Sequence, residues 1–371
     1  MKKVLVTSAG GTGSNNMVES IKNSTLAGQV EIIGTHVSPH ELVCSNCDKN
    51  YLVPKVADKE AYMAATVRLL KGEGIDLVMP NSDKEALVLS KHREEVFECG
   101  AKLFMPAHEA LAQTQDKFSL HQMLKTVGVA TARTVEIKTL DDLYPAFEQM
   151  GDCEKVWVRA RQGAGSLAAA WMYNAEQAVK FVELWHQLRG VPIDHFLVSE
   201  FLPGRDYAVH TLWKDGELLV AKAAERLTYF GADTRLSGMA STPGVALVVD
   251  APMVIEESLK AIEASSRACG VEPHGVYELD LKEDAKGRPC ICEINIGRFP
   301  MINPVFDRTG KWCTAELFIR VGLDMEGEIP HGEIDTEEGV RIIRALDRPM
   351  KFVRRDDFAS FLRDAGKYQQ N

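Results

Sequence analysis

Apolar positions in the first third of the chain fall into short blocks separated by amphipathic stretches. Val4-Leu5-Val6, Val30–Val37 (VEIIGTHV), Ile75–Met79 and Ala101–Phe104 are runs too short for helices, and each predicts a buried strand. Residues 14–26, 58–72 and 83–98 lie between them and predict helices. Strands that alternate with helices imply a parallel sheet covered on both faces.

The rhythm changes near Asp116. Helices are expected over 117–127, stopped by Gly128, and over 140–150, bounded by Gly151. KVWVRARQGAGSLAAAWM then reads as a strand, a tight glycine loop and a returning strand. A helix at 174–188 leads to a strand His195–Ser199 and a turn at Pro203-Gly204. Strand-like runs follow at 206–213 and 217–223, then a loop at 229–244 and a helix at 251–269. Strands at 275–282 and 289–296 are joined by the polar turn EDAKGR. The tail beyond about residue 330 is charged and carries little pattern.

The glycine cluster in SAGGTGSNN invites comparison with a dinucleotide fingerprint. Gly11-Thr12-Gly13-Ser14-Asn15-Asn16 lacks the third glycine, and no acidic residue closes the second strand to hold a ribose. The cluster therefore predicts a tight strand-to-helix turn and excludes a nicotinamide enzyme. A net charge of −10 over 371 residues argues against a duplex nucleic-acid binder. No apolar run approaches a membrane span, and the N-terminal run is too short for a signal sequence, so the cytoplasm is expected. Eight scattered cysteines suggest reduced thiols. Cys44 and Cys47 have the spacing of half a zinc site or a redox pair, but no second pair follows, and an ordinary loop is the better reading.

Three stretches carry candidate chemistry. Alternation in VYELDL puts Glu278 and Asp280 on one strand face, and in CICEINI it puts Glu293 and Asn295 on one face. If the strands pair, carboxylates and an amide converge on a patch suited to magnesium and phosphates, although a solvated polar face would share the pattern. Arg159 and Arg161 share a face just before Gly163-Ala164-Gly165-Ser166, a plausible cradle for polyphosphate to which Lys117 could add a cation. In VSEFLPGRDY, a strand ends at an apolar edge and a turn then presents Asp206.

In this order the pieces resemble the ATP-grasp superfamily, most closely the ATP-binding halves of the carbamoyl phosphate synthase large chain and stand-alone carboxylate-amine ligases. CICEINIGR is similar to that family's E-x-N-P-R, and Pro80, Asp83 and Glu85 to its P-x-x-D-x-E. The resemblance implies a parallel-sheet pre-ATP-grasp domain at 1–113, a small subdomain at 114–194, a larger subdomain with the metal site at 195–330, and an extension at 331–371. It further implies that Lys117 and Arg159 contact ATP phosphates under a flap that includes Gly163, Gly165 and Ser166. Glu200, Phe201 and Leu202 would meet adenine, and Asp206 the ribose. Asp280, Glu293 and Asn295 would hold one or two magnesium ions, manganese being an alternative. Arg298 would sit at the transferred phosphoryl group and the acceptor, with Arg226 and Arg235 as further anchors for a substrate carboxylate. This sequence has Arg159 where many members have lysine, Asp206 for the commoner glutamate, and one added residue in Asn295-Ile296-Gly297-Arg298.

The expected activity is ATP- and magnesium-dependent ligation. A carboxylate becomes an acyl phosphate, an amine attacks it, and ADP and phosphate leave. Two alternatives stand beside it: an enzyme that releases a phosphorylated carboxylate or carbamate, and a non-catalytic nucleotide sensor. Small carboxylates and amines are the expected partners, without nucleic acid or membrane. Relatives of this kind are often homodimers.

Overall fold

A computed structural model describes residues 1–151, 153–161, 168–240, 242–299, 306–345, 348–357 and 359–360. Among them the strands form three sheets. The first contains β1 (Lys2–Val6), β2 (Val30–His36), β3 (Lys49–Leu52), β4 (Leu77–Met79) and β5 (Lys102–Leu103). They are parallel, in the order β3-β2-β1-β4-β5. Val4 and Val6 enter one core and Leu5 another, which is why this run shows no polar alternation. The glycine cluster does form the tight turn into the helix Thr12–Lys22. Gly10 has φ +90°, and a Cβ there would lie 1.8 Å from the carbonyl oxygen of Glu41. The glycine is demanded by close approach of the helix Pro39–Val43.

The second sheet comprises β6 (Thr134–Glu136), β7 (Val156–Ala160), β8 (Ala169–Met172) and β9 (Phe196–Glu200), antiparallel in the order β6-β9-β7-β8. Its core joins Val156, Val158, Phe196 and Val198 to Phe181 and Val182 of the helix Ala175–Arg189. That helix opens on Asn174, whose side chain accepts from the Gln177 amide, and closes on left-handed Gly190.

The third sheet is built from β10 (Asp206–Lys214), β11 (Glu217–Tyr229), β12 (Pro243–Val248), β13 (Gly275–Glu283), β14 (Pro289–Ile296), β15 (Glu333–Ile334), β16 (Arg341–Ala345) and β17 (Arg348–Val353). The order is β14-β13-β10-β11-β12-β16-β17, with β15 on β11. On one face, Tyr207, Val209, Leu279 and Leu281 share a core with Ile255 and Ile262 of the helix Pro252–Ala268. The opposite face carries the acidic residues described below.

The structure departs from the expected elements where charge is buried. β11 does not stop at residue 223 but runs to Tyr229, so Arg226 is a strand residue. The tail is no loose extension, because β16 and β17 join the large sheet beside β12. Lys222 explains part of this disguise. Only 1% exposed, its ammonium donates to the carbonyls of Phe306, Thr309 and Trp312, each at 2.6 Å, and pairs with Asp335 at 2.7 Å. The predicted helix at 83–98 is two helices, Asp83–Lys91 and Arg93–Glu98, meeting at His92. No helix among the described residues is long and apolar enough to cross a membrane.

Candidate active site

The hairpin of β13 and β14 sets Asp280 directly opposite Glu293 and Glu278 opposite Asn295, so the four share one face. They line a cleft of about 230 Å³ together with Arg159 of β7, Asp206 of β10, Arg226 of β11 and Arg298. Trp157, Phe201, Leu202 and Leu281 line the same cleft and add an apolar wall. One cavity therefore combines a flat apolar portion with a densely charged one.

Most charges in the cleft are matched within the chain. Lys117, at the start of the helix Lys117–Thr126, places its ammonium 3.0 Å from Glu293. Burial would raise the Glu293 pKa, but Lys117 and then Arg159 outweigh it and hold the carboxyl below its ordinary value. Arg226 donates through Nε to Asp206 at 2.7 Å, through Nη1 to Asp280, and through Nη2 to the Tyr207 carbonyl at 2.7 Å. The Tyr229 hydroxyl donates to Asp206 at 2.9 Å. Arg298 follows Gly297, which turns the chain at φ +74°. Its Nε reaches Asp83 beyond the first sheet, and its Nη2 donates to Asn295 Oδ1 at 3.1 Å.

Two groups stand apart. Burial and then the neighbouring Asp280 push the Glu278 carboxyl up to about 8, against the pull of Arg298. Among the described residues the buried Nε of Arg159 has no hydrogen-bond partner, which makes it a donor suited to an anion. Beside it, burial and the Arg159 charge drive His121 down to about 3, so its imidazole is neutral.

Among the described residues no group of three or more His, Cys, Asp or Glu side chains is arranged to hold a metal ion alone. Asp280 and Glu293 with the Asn295 amide nonetheless fit magnesium, which takes one or two carboxylates and completes its shell from phosphates and water. Burial raises the Asp280 pKa despite Arg226, and burial followed by Asp280 raises Glu278, so a cation arriving at this patch would favour the ionised form of both acids.

Of the residues singled out by sequence, Arg159, Glu200, Phe201, Leu202, Asp206, Arg226, Asp280, Glu293, Asn295 and Arg298 line one cleft, and Lys117 reaches it through Glu293. Asp206 and Arg226 bond each other, and Arg235 lies outside the cleft. Asp206 spends its carboxylate on Arg226 and Tyr229, where a ribose contact was expected. Arg226, expected to anchor a substrate carboxylate, is a buried bridge between two acids. Arg235 is exposed after the turn Ala232–Thr234 and does not line the cleft. Gly163, Gly165 and Ser166 lie outside the described residues. Sequence reading missed His121, Tyr229 and the raised pKa of Glu278. Only Glu278 left a signal, because it shares the strand alternation of Asp280. Cys44 is exposed and Cys47 half-buried, and both are free thiols.

Residues 4–104 match the family described as PylC-like, N-terminal domain. No curated protein matches the sequence. Solved structures share the fold across most of the chain. An L-amino acid ligase from Bacillus licheniformis superposes with a TM-score of 0.66 at 14% identity, covering 92% of this chain and 79% of that one. The biotin carboxylase domain of Hydrogenobacter thermophilus 2-oxoglutarate carboxylase, a dimer solved with MgADP and bicarbonate, gives 0.68 at 16% identity over 92% and 74%. N5-carboxyaminoimidazole synthetase from Staphylococcus aureus, complexed with ADP, gives 0.65 at 13% over 92% and 81%. The chain has the ATP-grasp fold, as the order of its motifs led us to expect.

Proposed function

We propose that the chain is an ATP-dependent ligase that activates a carboxylate as an acyl phosphate and joins it to an amine, releasing ADP and phosphate. The observation that carries this is the pairing of Asp280 with Glu293 across the β-hairpin, in one cleft with an apolar wall and with Arg159, whose Nε has no partner among the described residues. The shared fold with an L-amino acid ligase supports it.

The adenine would rest against Trp157, Phe201 and Leu202, with Glu200 and its backbone at the edge. Arg159 and Lys117 would neutralise the phosphates, and Arg298 the group in transfer. Asp280, Glu293 and Asn295 would hold magnesium, which supplies Lewis-acid charge to the transferring phosphoryl group. Phosphoryl transfer asks for positioning and charge rather than a side-chain nucleophile, and Arg298 is positioned by Asp83 and Asn295. The apolar wall of Trp157, Phe201, Leu202 and Leu281 would limit the water that reaches the acyl phosphate.

ADP release measured against a panel of carboxylates and amines, with and without magnesium, tests the reading. Release should require the metal and both organic substrates, and E293A should lower it by more than ~100-fold, a loss that even an outer-shell change can cause. Release that needs no amine, with acyl phosphate trapped by hydroxylamine, would instead identify a carboxylate kinase.

A further inference from the structure

Every group proposed to hold magnesium already meets a basic side chain of this chain. Glu293 is paired with Lys117 at 3.0 Å, Asn295 Oδ1 accepts from Nη2 of Arg298 at 3.1 Å, and Asp280 accepts from Nη1 of Arg226. A metal ion that took these oxygens would part them from those cations. Parting a charge from its partner costs most where water is scarce, and the Arg226 side chain is only 12% exposed.

Arg226 is also anchored independently of Asp280. Its Nε donates to Asp206 at 2.7 Å, and its Nη2 lies 2.6 Å from the same carboxylate oxygen. That Nη2 donates to the Tyr207 carbonyl at 2.7 Å as well, and the Tyr229 hydroxyl steadies the other oxygen of Asp206 at 2.9 Å. A planar fork held along one edge cannot swing away as a lysine ammonium can, so only Nη1 has a partner to give up. Once Asp280 turned to a metal ion, Nη1 would face a second cation at close range unless an anion came between them. A phosphate oxygen meets that demand, because it accepts from a guanidinium and binds a divalent cation together.

We infer that Arg226 is a placeholder cation on Asp280 that makes metal binding conditional on a nucleotide phosphate. The guanidinium stays on Asp206 and exchanges only its Asp280 contact. Asp206 thereby acquires a role that needs no ribose, since it holds the fork while the other arm changes partner. The inference rests on the reading of Asp280, Glu293 and Asn295 as the magnesium site, and it is independent of the ligation chemistry. Arg226 is accordingly a positioning residue that couples metal to nucleotide.

Equilibrium dialysis of the whole chain against Mn2+, with and without ADP, tests this without turnover. Without nucleotide, R226M should bind Mn2+ on the order of 10-fold more tightly than the parent, a gain where a merely structural role would give a loss. Adding D280N to R226M should remove that gain. ADP should tighten Mn2+ binding by a larger factor in the parent than in R226M. Equal Mn2+ affinity of the two without nucleotide, an equal effect of ADP on both, or a gain that survives D280N overturns the inference. Should R226M not fold, R226K, whose ammonium serves one acid at a time, should show part of the gain, and no gain overturns the inference. Failure of the wider reading looks different. No Mn2+ on the parent even with ADP would remove the metal site and the inference with it. Coupled binding of Mn2+ and ADP without turnover of ATP would sink the ligase reading and leave the role of Arg226 standing.

Discussion

Arg226 illustrates how one side chain can set the electrostatics of the whole cleft. Its planar fork binds Asp206 and Asp280 at once, geometry that lysine cannot reproduce. R226M would take the guanidinium from both carboxylates and leave Asp206 the Tyr229 hydroxyl, so it should cost up to about 3 kcal/mol of stability, read from urea unfolding. R226K, which keeps the charge and loses the fork, should fall between. This residue was hard to read from sequence. Strand alternation exposed Asp280, Glu293 and Asn295 because it predicts which side chains share a face. It does not predict partners, so the bridge by Arg226 emerges only in three dimensions.

At the scale of elements, the first parallel sheet and the β13–β14 hairpin were legible, the former from unbroken apolar runs and the latter from alternation around a polar turn. β3, β6, β12, β16 and β17 were not. β3 and β6 are short, and β12, β16 and β17 find their places only by pairing with one another beside β11, whose own charge at Lys222 is buried through distant partners. D335N tests that dependence. It leaves the Lys222 ammonium buried with carbonyl partners alone, and it should cost about 3 kcal/mol in urea unfolding. Trp312 should report the change in fluorescence, since its amide donates to Asp335 at 2.8 Å.

Across the molecule, acid sensitivity follows from two interior imidazoles. His210 lies in β10 with both ring nitrogens unbonded among the described residues and its ring stacked on Phe306 at 5.2 Å, and burial followed by the Lys222 charge lowers it to about 3. His121 is likewise lowered from 6.5 to about 3. The unfolded chain therefore takes up these protons first, so stability present above pH 6.5 is lost as pH falls toward 3. Each site contributes a slope of about 1.4 kcal/mol per pH unit. H210L removes one site and two unbonded polar atoms, so it should preserve stability at neutral pH and flatten the acid limb measured by calorimetry.

The bond from Arg298 to Asp83 has a further implication for how the molecule can be rebuilt. It ties the end of the acidic hairpin to the start of a helix that springs from the opening parallel layer, so the two share a coordinate frame. A foreign opening layer would need an aspartate at this junction and the same apolar contacts to Tyr207, Leu279 and Phe318 to dock as this one does. Recombination at that seam would exchange the opening layer while the acidic face of the hairpin stays untouched.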